Sequence, residues 1–181
     1  LQQYVSHFDR IRYQQDYENT IAGVKPHSCP IVIQRGYGDC KDKAVLLRTL
    51  AGIIGIDVHF AILRTTNAGP LLKEIPNQQF NHAIAYVPKQ DGFESGFFVD
   101  PTTDGLDIDN LRHDDQGATA LVLNPKDGSW SFIDIPYQDA AHEIEIVAID
   151  LQIHKDGSAT AMADIKLKGF EASVLRRAFR N

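Results

Sequence analysis

An α+β fold is predicted by three features of the sequence: a capped helical segment early in the chain, a series of short β-like runs after it, and tight-turn residues between those runs. The helical segment follows Asp39, a good N-cap residue with Asp42 three positions on, and carries Ala44, Leu47, Leu50, Ala51 and Ile54 at helical spacing up to Gly55. Its apolar positions wrap much of the circumference, as in a central helix buried on several sides. Before it, Tyr4, Val5, Phe8 and Ile11 mark a short amphipathic helix, and the polar stretch through Tyr17, Pro26, His27 and Pro30 reads as irregular surface chain. From Asp57 the β-like runs are Val58 to Leu63, His82 to Val87, Phe97 to Asp100, Leu121 to Leu123 and Trp130 to Ile135. Their separators, Pro88 to Gly92, Pro101 to Gly105 and Pro125 to Gly128, favour tight reversals and so an antiparallel sheet. A longer run from Glu143 to His154 turns at Lys155-Asp156-Gly157 and returns through Ser158 to Lys168, a hairpin. A boundary near Tyr137 divides a core, 1–137, from the start of a β-rich unit, 138–181.

The chain has 181 residues, 43% hydrophobic and 23% charged, enough to bury a sizeable core in one domain with a piece of a second. Eighteen Lys and Arg against 24 Asp and Glu give a net charge of -6, which argues against a nucleic-acid partner. No apolar run approaches the ~18 residues of a membrane span, and no leader opens the chain. It begins Leu1-Gln2-Gln3 and stops at Phe179-Arg180-Asn181 just after a strand-like pattern, so it reads as an excised segment. Two cysteines, Cys29 and Cys40, are too few for a disulfide scaffold and leave the compartment open.

Cys40 sits at the predicted helix start, where unpaired amides and the helix dipole favour thiolate, with Arg35, Lys41 and Lys43 nearby. A nucleophilic thiol needs a base. Of seven histidines, His82 opens a predicted strand in Phe80-Asn81-His82-Ala83, where a rigid element can aim its ring. Asp100 closes the next strand in Gly96-Phe97-Phe98-Val99-Asp100-Pro101, and antiparallel pairing would bring its carboxylate to His82. Each has a plain structural alternative: a small buried thiol, a satisfied core histidine, a turn former before Pro101. Cys29, in Ser28-Cys29-Pro30, reads as an incidental loop thiol, and Asp104, Asp107, Asp109, Asp114 and Asp115 as a solvated acidic connection without EF-hand spacing. No metal or cofactor is expected: zinc-ligand histidine spacing and a phosphate-binding glycine pattern are both missing. Phe170, Val174 and Leu175 suggest a contact surface or part of an unfinished core.

Three blocks resemble the bacterial transglutaminase-like proteins of the papain-like superfamily: Gly36-Tyr37-Gly38-Asp39-Cys40-Lys41-Asp42-Lys43-Ala44, Phe80-Asn81-His82-Ala83 and Phe98-Val99-Asp100-Pro101-Thr102. The resemblance runs from the first helix to about Leu123. It implies a papain-like core with Cys40 as nucleophile, His82 as general base and acid, and Asp100 as the group that orients His82. It further implies acyl transfer from peptide or isopeptide amides to water or an amine, a bacterial cell-envelope setting, and a following β-domain whose opening is the hairpin. Asp39 and Lys41 flank the nucleophile where animal transglutaminases have Gln and Trp, which argues against glutamine crosslinking and calcium dependence. A binding or scaffolding module with an inactive triad is the alternative.

Overall fold

The computed structural model describes residues 1–7, 9–15, 25–75 and 77–179; Phe8 and Tyr17 fall outside the described residues. Three helices and a two-residue strand pair precede a five-stranded sheet. These are α1 (Gln2–Ser6), β1 (Arg12–Tyr13), α2 (Cys29–Arg35), β2 (Tyr37–Gly38) and α3 (Cys40–Ile53). The sheet strands are β3 (His59–Leu63), β4 (His82–Val87), β5 (Phe97–Val99), β6 (Thr119–Leu123) and β7 (Trp130–Asp134). A hairpin of β8 (Ile144–Ile153) and β9 (Ala159–Lys168) follows, and then α4 (Phe170–Ala178).

Helix α3 starts where its cap chemistry dictates. The Asp39 carboxylate accepts from the Asp42 N–H and the Asp42 carboxylate from the Asp39 N–H, each at 3.4 Å, a reciprocal capping box. The helix yields to Gly55, whose φ of 80° is the left-handed conformation a terminating glycine supplies. Lys41, Asp42, Lys43, Ala44, Leu46, Leu47 and Ala51 are all buried along it, because β4 covers one side while α1 and α2 cover others.

The sheet runs in the order β5-β4-β3-β6-β7 with every neighbour antiparallel. Alternation sorts its side chains into two cores. Ala85, Val87 and Val99 pack with Leu46, Leu47 and Ala51 of α3, while Ala61, Leu63, Ile84, Ala120 and Val122 pack on the opposite face with Leu111 and Ile135.

Four sequence expectations are corrected. The stretch expected as surface chain through Pro26, His27 and Pro30 contains α2, with Pro30 in its first turn where a missing N–H costs nothing. The helix expected through Ile11 ends at Ser6, and Ile11 is instead a fully buried core residue just before β1. Pro101 to Gly105 does not reverse the chain tightly. It opens the irregular connection 100–118, because β6 pairs with β3 and the chain must cross β4 and β3 to reach it. The strand-like ending is helix α4, opened by Gly169 at φ 85° and capped by Glu143, whose carboxylate oxygens accept from the Phe170 N–H at 2.9 and 3.1 Å. Pro125 to Gly128, in contrast, does form a tight hairpin, closed by Asn124 N–H to the Ser129 carbonyl at 2.8 Å.

The β8–β9 hairpin pairs in an unbroken ten-residue register and is not hydrogen-bonded to the five-stranded sheet. One of its faces carries Val147, Ile149, Leu151 and Ile153 opposite Ile165, Ala163, Ala161 and Ala159, an exposed apolar stretch that ends at the Glu145–Leu167 pair. Among the described residues no helix is long and apolar enough to cross a membrane.

Candidate active site

Antiparallel order places the end of β3, the start of β4, the end of β5 and the start of β6 at one end of the sheet. His82 is the first residue of β4 and Asp100 follows the last residue of β5. The β4–β5 register pairs Ala85 with Val99. Continued by one position it sets Asp100 opposite Ile84, two residues from His82 on the same face, a diagonal cross-strand pair. His82 Nε2 lies 3.4 Å from Asp100 Oδ2 accordingly. The entry to β4 is fixed by Asn81, whose amide oxygen accepts from the Thr65 N–H at 2.9 Å and whose amide nitrogen donates to Thr65 Oγ1 at 2.8 Å.

Asp100 is fully buried, and its other oxygen accepts from the Thr102 N–H at 2.7 Å and the Thr102 hydroxyl at 2.6 Å. Burial alone would raise Asp100, but the facing His82 and the two Thr102 donors hold it well below the usual carboxylate range. Burial alone would lower His82. The Asp100 charge and hydrogen bond, a side-chain hydrogen bond with Cys40 and the charge of Asp115 together raise it instead to about 10. Nε2 is committed to carboxylates, which leaves Nδ1 as the ring nitrogen for the Cys40 sulfur.

Cys40 is the first helical residue of α3 and half-buried. Gly38, two residues earlier, approaches the helix closely: a Cβ there would lie 2.8 Å from Asp42 Cβ and 3.2 Å from Val32 Cγ1. The strand pair holds this turn, with Gln14 N–H donating to the Gly38 carbonyl at 3.0 Å and Arg12 N–H to the Gly36 carbonyl at 2.8 Å.

The sequence suggested that Arg35, Lys41 and Lys43 would bathe the thiol in positive charge. The structure redirects all three. Lys41 pairs with Asp39, Arg35 pairs with Asp42 Oδ2 at 2.9 Å, and Lys43 faces Asp100 and Asp104. His82 is the cationic group in contact with the sulfur. Cys29 is a free thiol in α2, directed toward Thr49 Oγ1 at 3.3 Å, not a loop residue, and Cys40 is free as well.

Three residues of the site carried no role in the sequence reading. Tyr13 on β1 is raised to about 12 by partial burial and by the negative groups it faces, Cys40 and Asp39 first among them. Arg112 donates to both carboxylate oxygens of Asp114, at 2.9 and 2.6 Å, and faces Asp100 and Asp115. Asp115 has no exposed surface and its Oδ1 lies 3.8 Å from His82 Nε2. The acidic connection expected to be solvated is therefore split: Asp107 and Asp109 are exposed, while Asp104 and Asp115 are buried. Asp115 just ahead of the alternating Ala118, Ala120 and Val122 was the available signal, since it marks an acid at a strand entrance, as His82 is at its own.

A cavity of about 300 Å³ adjoins the site. Tyr13, Thr102 and Arg112 line one side and Phe170, Ser173 and Arg177 of α4 the other. Among the described residues His82, Asp100 and Asp115 also have the spacing a cation could use, with ligand atoms within 4.8 Å of one another. Two of those atoms, His82 Nε2 and Asp100 Oδ2, already bond each other, and Arg112 places positive charge beside both carboxylates. Comparison with protein-family models, curated proteins and solved structures finds no match to this chain.

Proposed function

We propose that the chain is a transglutaminase-like cysteine enzyme with a papain-like core, acting on peptide or isopeptide amides by acyl transfer through Cys40, His82 and Asp100. The observation that carries the reading is the shared ring: His82 contacts Cys40 while its Nε2 lies 3.4 Å from a buried, fully hydrogen-bonded Asp100. With His82 raised to about 10, the ring is an imidazolium at neutral pH, a positive charge beside the sulfur that acts as nucleophile.

The thiolate attacks the amide carbon, and the developing oxyanion is met by the Cys40 N–H at the helix start. The C–N bond then breaks as imidazolium gives its proton to the departing amine, leaving a thioester and neutral imidazole. Water or a second amine attacks the thioester, His82 takes its proton, and the acyl product departs as the thiolate–imidazolium pair is restored. Asp100 holds the ring tautomer and stabilises the imidazolium throughout. Work in a bacterial cell envelope belongs to the same proposal.

The test is iodoacetamide alkylation of Cys40 against pH in the wild type and in His82→Ala, both carrying Cys29→Ser, followed by a screen of peptide amides with Cys40→Ala as control. Alkylation below pH 8 that depends on His82, with turnover lost in Cys40→Ala, supports the enzyme. Identical alkylation curves with no turnover of any amide would favour a scaffolding module.

A further inference from the structure

We infer that Asp115 is a second positioning carboxyl group for His82, acting on the same ring nitrogen as Asp100 and controlling how firmly the imidazolium keeps its proton. This rests on the cysteine acyl-transfer reading above and adds to it a residue outside the triad.

The geometry argues first from what Asp115 lacks. It has no exposed surface, and neither carboxylate oxygen has a hydrogen-bond partner among the described residues. An ionised carboxylate left so would cost several kcal/mol. Asp100 is the opposite case, with both oxygens engaged by Thr102 and His82. Asp115 is also not held inward by accident. Its N–H donates to the Arg112 carbonyl at 3.2 Å, its carbonyl accepts from the Ala118 N–H at 3.2 Å, and Gly117 N–H donates to the Ile135 carbonyl at 3.0 Å. The backbone is tied at three points, and the side chain is left facing Nε2 at 3.8 Å.

The ionisable groups that face Asp115 are Asp100, His82, Arg112 and Asp114, and those that face His82 are Asp100, Cys40 and Asp115. Burial first, then Asp100, raises Asp115 to about 8, against the pull of His82 and Arg112. At neutral pH the group is chiefly a neutral acid, which removes the cost of an unpaired buried anion and leaves His82 answering mainly to Asp100. As pH rises through 8 it ionises, and a second negative charge near Nε2 holds the imidazolium proton to higher pH. Asp115 thus keeps the catalytic cation releasable where the enzyme is neutral and locks it when the medium is basic.

The experiment follows the His82 Hε1 resonance against pH in the wild type, Asp115→Asn and Asp100→Asn, with the carboxylic-acid C=O stretch of the wild type recorded in parallel. Asp115→Asn is expected to lower the His82 midpoint by about one pH unit or more. The wild-type acid band is expected to vanish around pH 8, where no ordinary carboxyl titrates. A His82 midpoint lowered by Asp100→Asn but untouched by Asp115→Asn overturns the inference and leaves the triad standing. A midpoint moved by neither variant sinks the triad reading itself. A wild-type midpoint that moves with added Zn²⁺ and returns with EDTA assigns the cluster to a cation and also overturns the inference. Should Asp115→Asn not fold, the wild type alone decides: an acid band lost around pH 8, ahead of the His82 midpoint, supports Asp115, and no such band refutes it.

Discussion

The ammonium of Lys43 donates to the carbonyl of Ser6 across 3.4 Å, joining the helix that carries Cys40 to α1 from a position with no solvent exposure. Burial lowers Lys43 to about 8 despite the attraction of Asp100 and Asp104. The unfolded chain therefore holds this proton more tightly than the folded one, so stability withheld below pH 8 returns as pH rises from 8 to 10.5. Lys43→Met removes that dependence. Urea denaturation at pH 7.5 and 10.5 is expected to show the wild type gaining about 3 kcal/mol relative to the variant. Parallel pH curves for the two proteins would exclude a buried, titrating Lys43.

Asp100→Asn is expected to cut turnover on the order of a thousandfold or more, since an amide in place of the carboxylate holds the wrong His82 tautomer. Thr102→Val removes the 2.6 Å hydroxyl donor but keeps the backbone N–H, so it should cost far less, roughly tenfold or under. Turnover measured on the same peptide amide ranks the two. A Thr102→Val defect as deep as that of Asp100→Asn would mean the hydroxyl does more than support the carboxylate.

Gly38→Ala places a methyl 2.8 Å from Asp42 Cβ and 3.2 Å from Val32 Cγ1, at the turn that delivers Cys40. The expected cost is about 1–3 kcal/mol by thermal or urea unfolding, together with a loss of the His82-dependent alkylation of Cys40. Unchanged stability and reactivity would show that the turn relaxes freely.

Leu46 is fully buried between α3 and the sheet, whereas Ile54 at the helix end is 61% exposed. Leu46→Ala should cost about 2–5 kcal/mol and Ile54→Ala within about half a kcal/mol. Comparable losses for both would contradict the packing described for α3.

How much could be read from the sequence varies with the range of the interactions involved. Helix α3 was legible because its determinants lie within three residues of Asp39 and in its own 3.6-residue period. The His82 strand start and the Asp100 strand end were legible for the same reason, and their meeting required only antiparallel neighbours. Helix α2 was not, because Ser28-Cys29-Pro30 reads as loop chemistry until α3 offers it a surface to cover. The fate of Arg35, Lys41 and Lys43 was not either, since nearness in sequence said nothing of the carboxylates that engage them. Asp115 was missed because an acidic cluster looks solvated unless its burial is known, and its neighbours His82 and Asp100 reach it through strand pairing that the cluster itself does not reveal.

Glu143→Gln weakens the carboxylate that accepts from the Phe170 N–H at 2.9 and 3.1 Å and so loosens the start of α4. Loss of the charged cap should cost about 1 kcal/mol. Hydrogen exchange is expected to quicken across Phe170–Ala178 while the amides of β3 and β4 keep their protection. Equal quickening in β4 would mean that α4 is part of the cooperative core.

The hairpin of β8 and β9 leads to a thermodynamic consequence. Val147, Ile149, Leu151 and Ile153 already face water in the folded chain, so melting the hairpin uncovers little new apolar surface. Heat-capacity change and denaturant sensitivity both scale with surface newly exposed. A calorimetric or urea transition of this chain is therefore a measurement of α3 and its sheet, in which twenty hydrogen-bonded hairpin residues are almost silent.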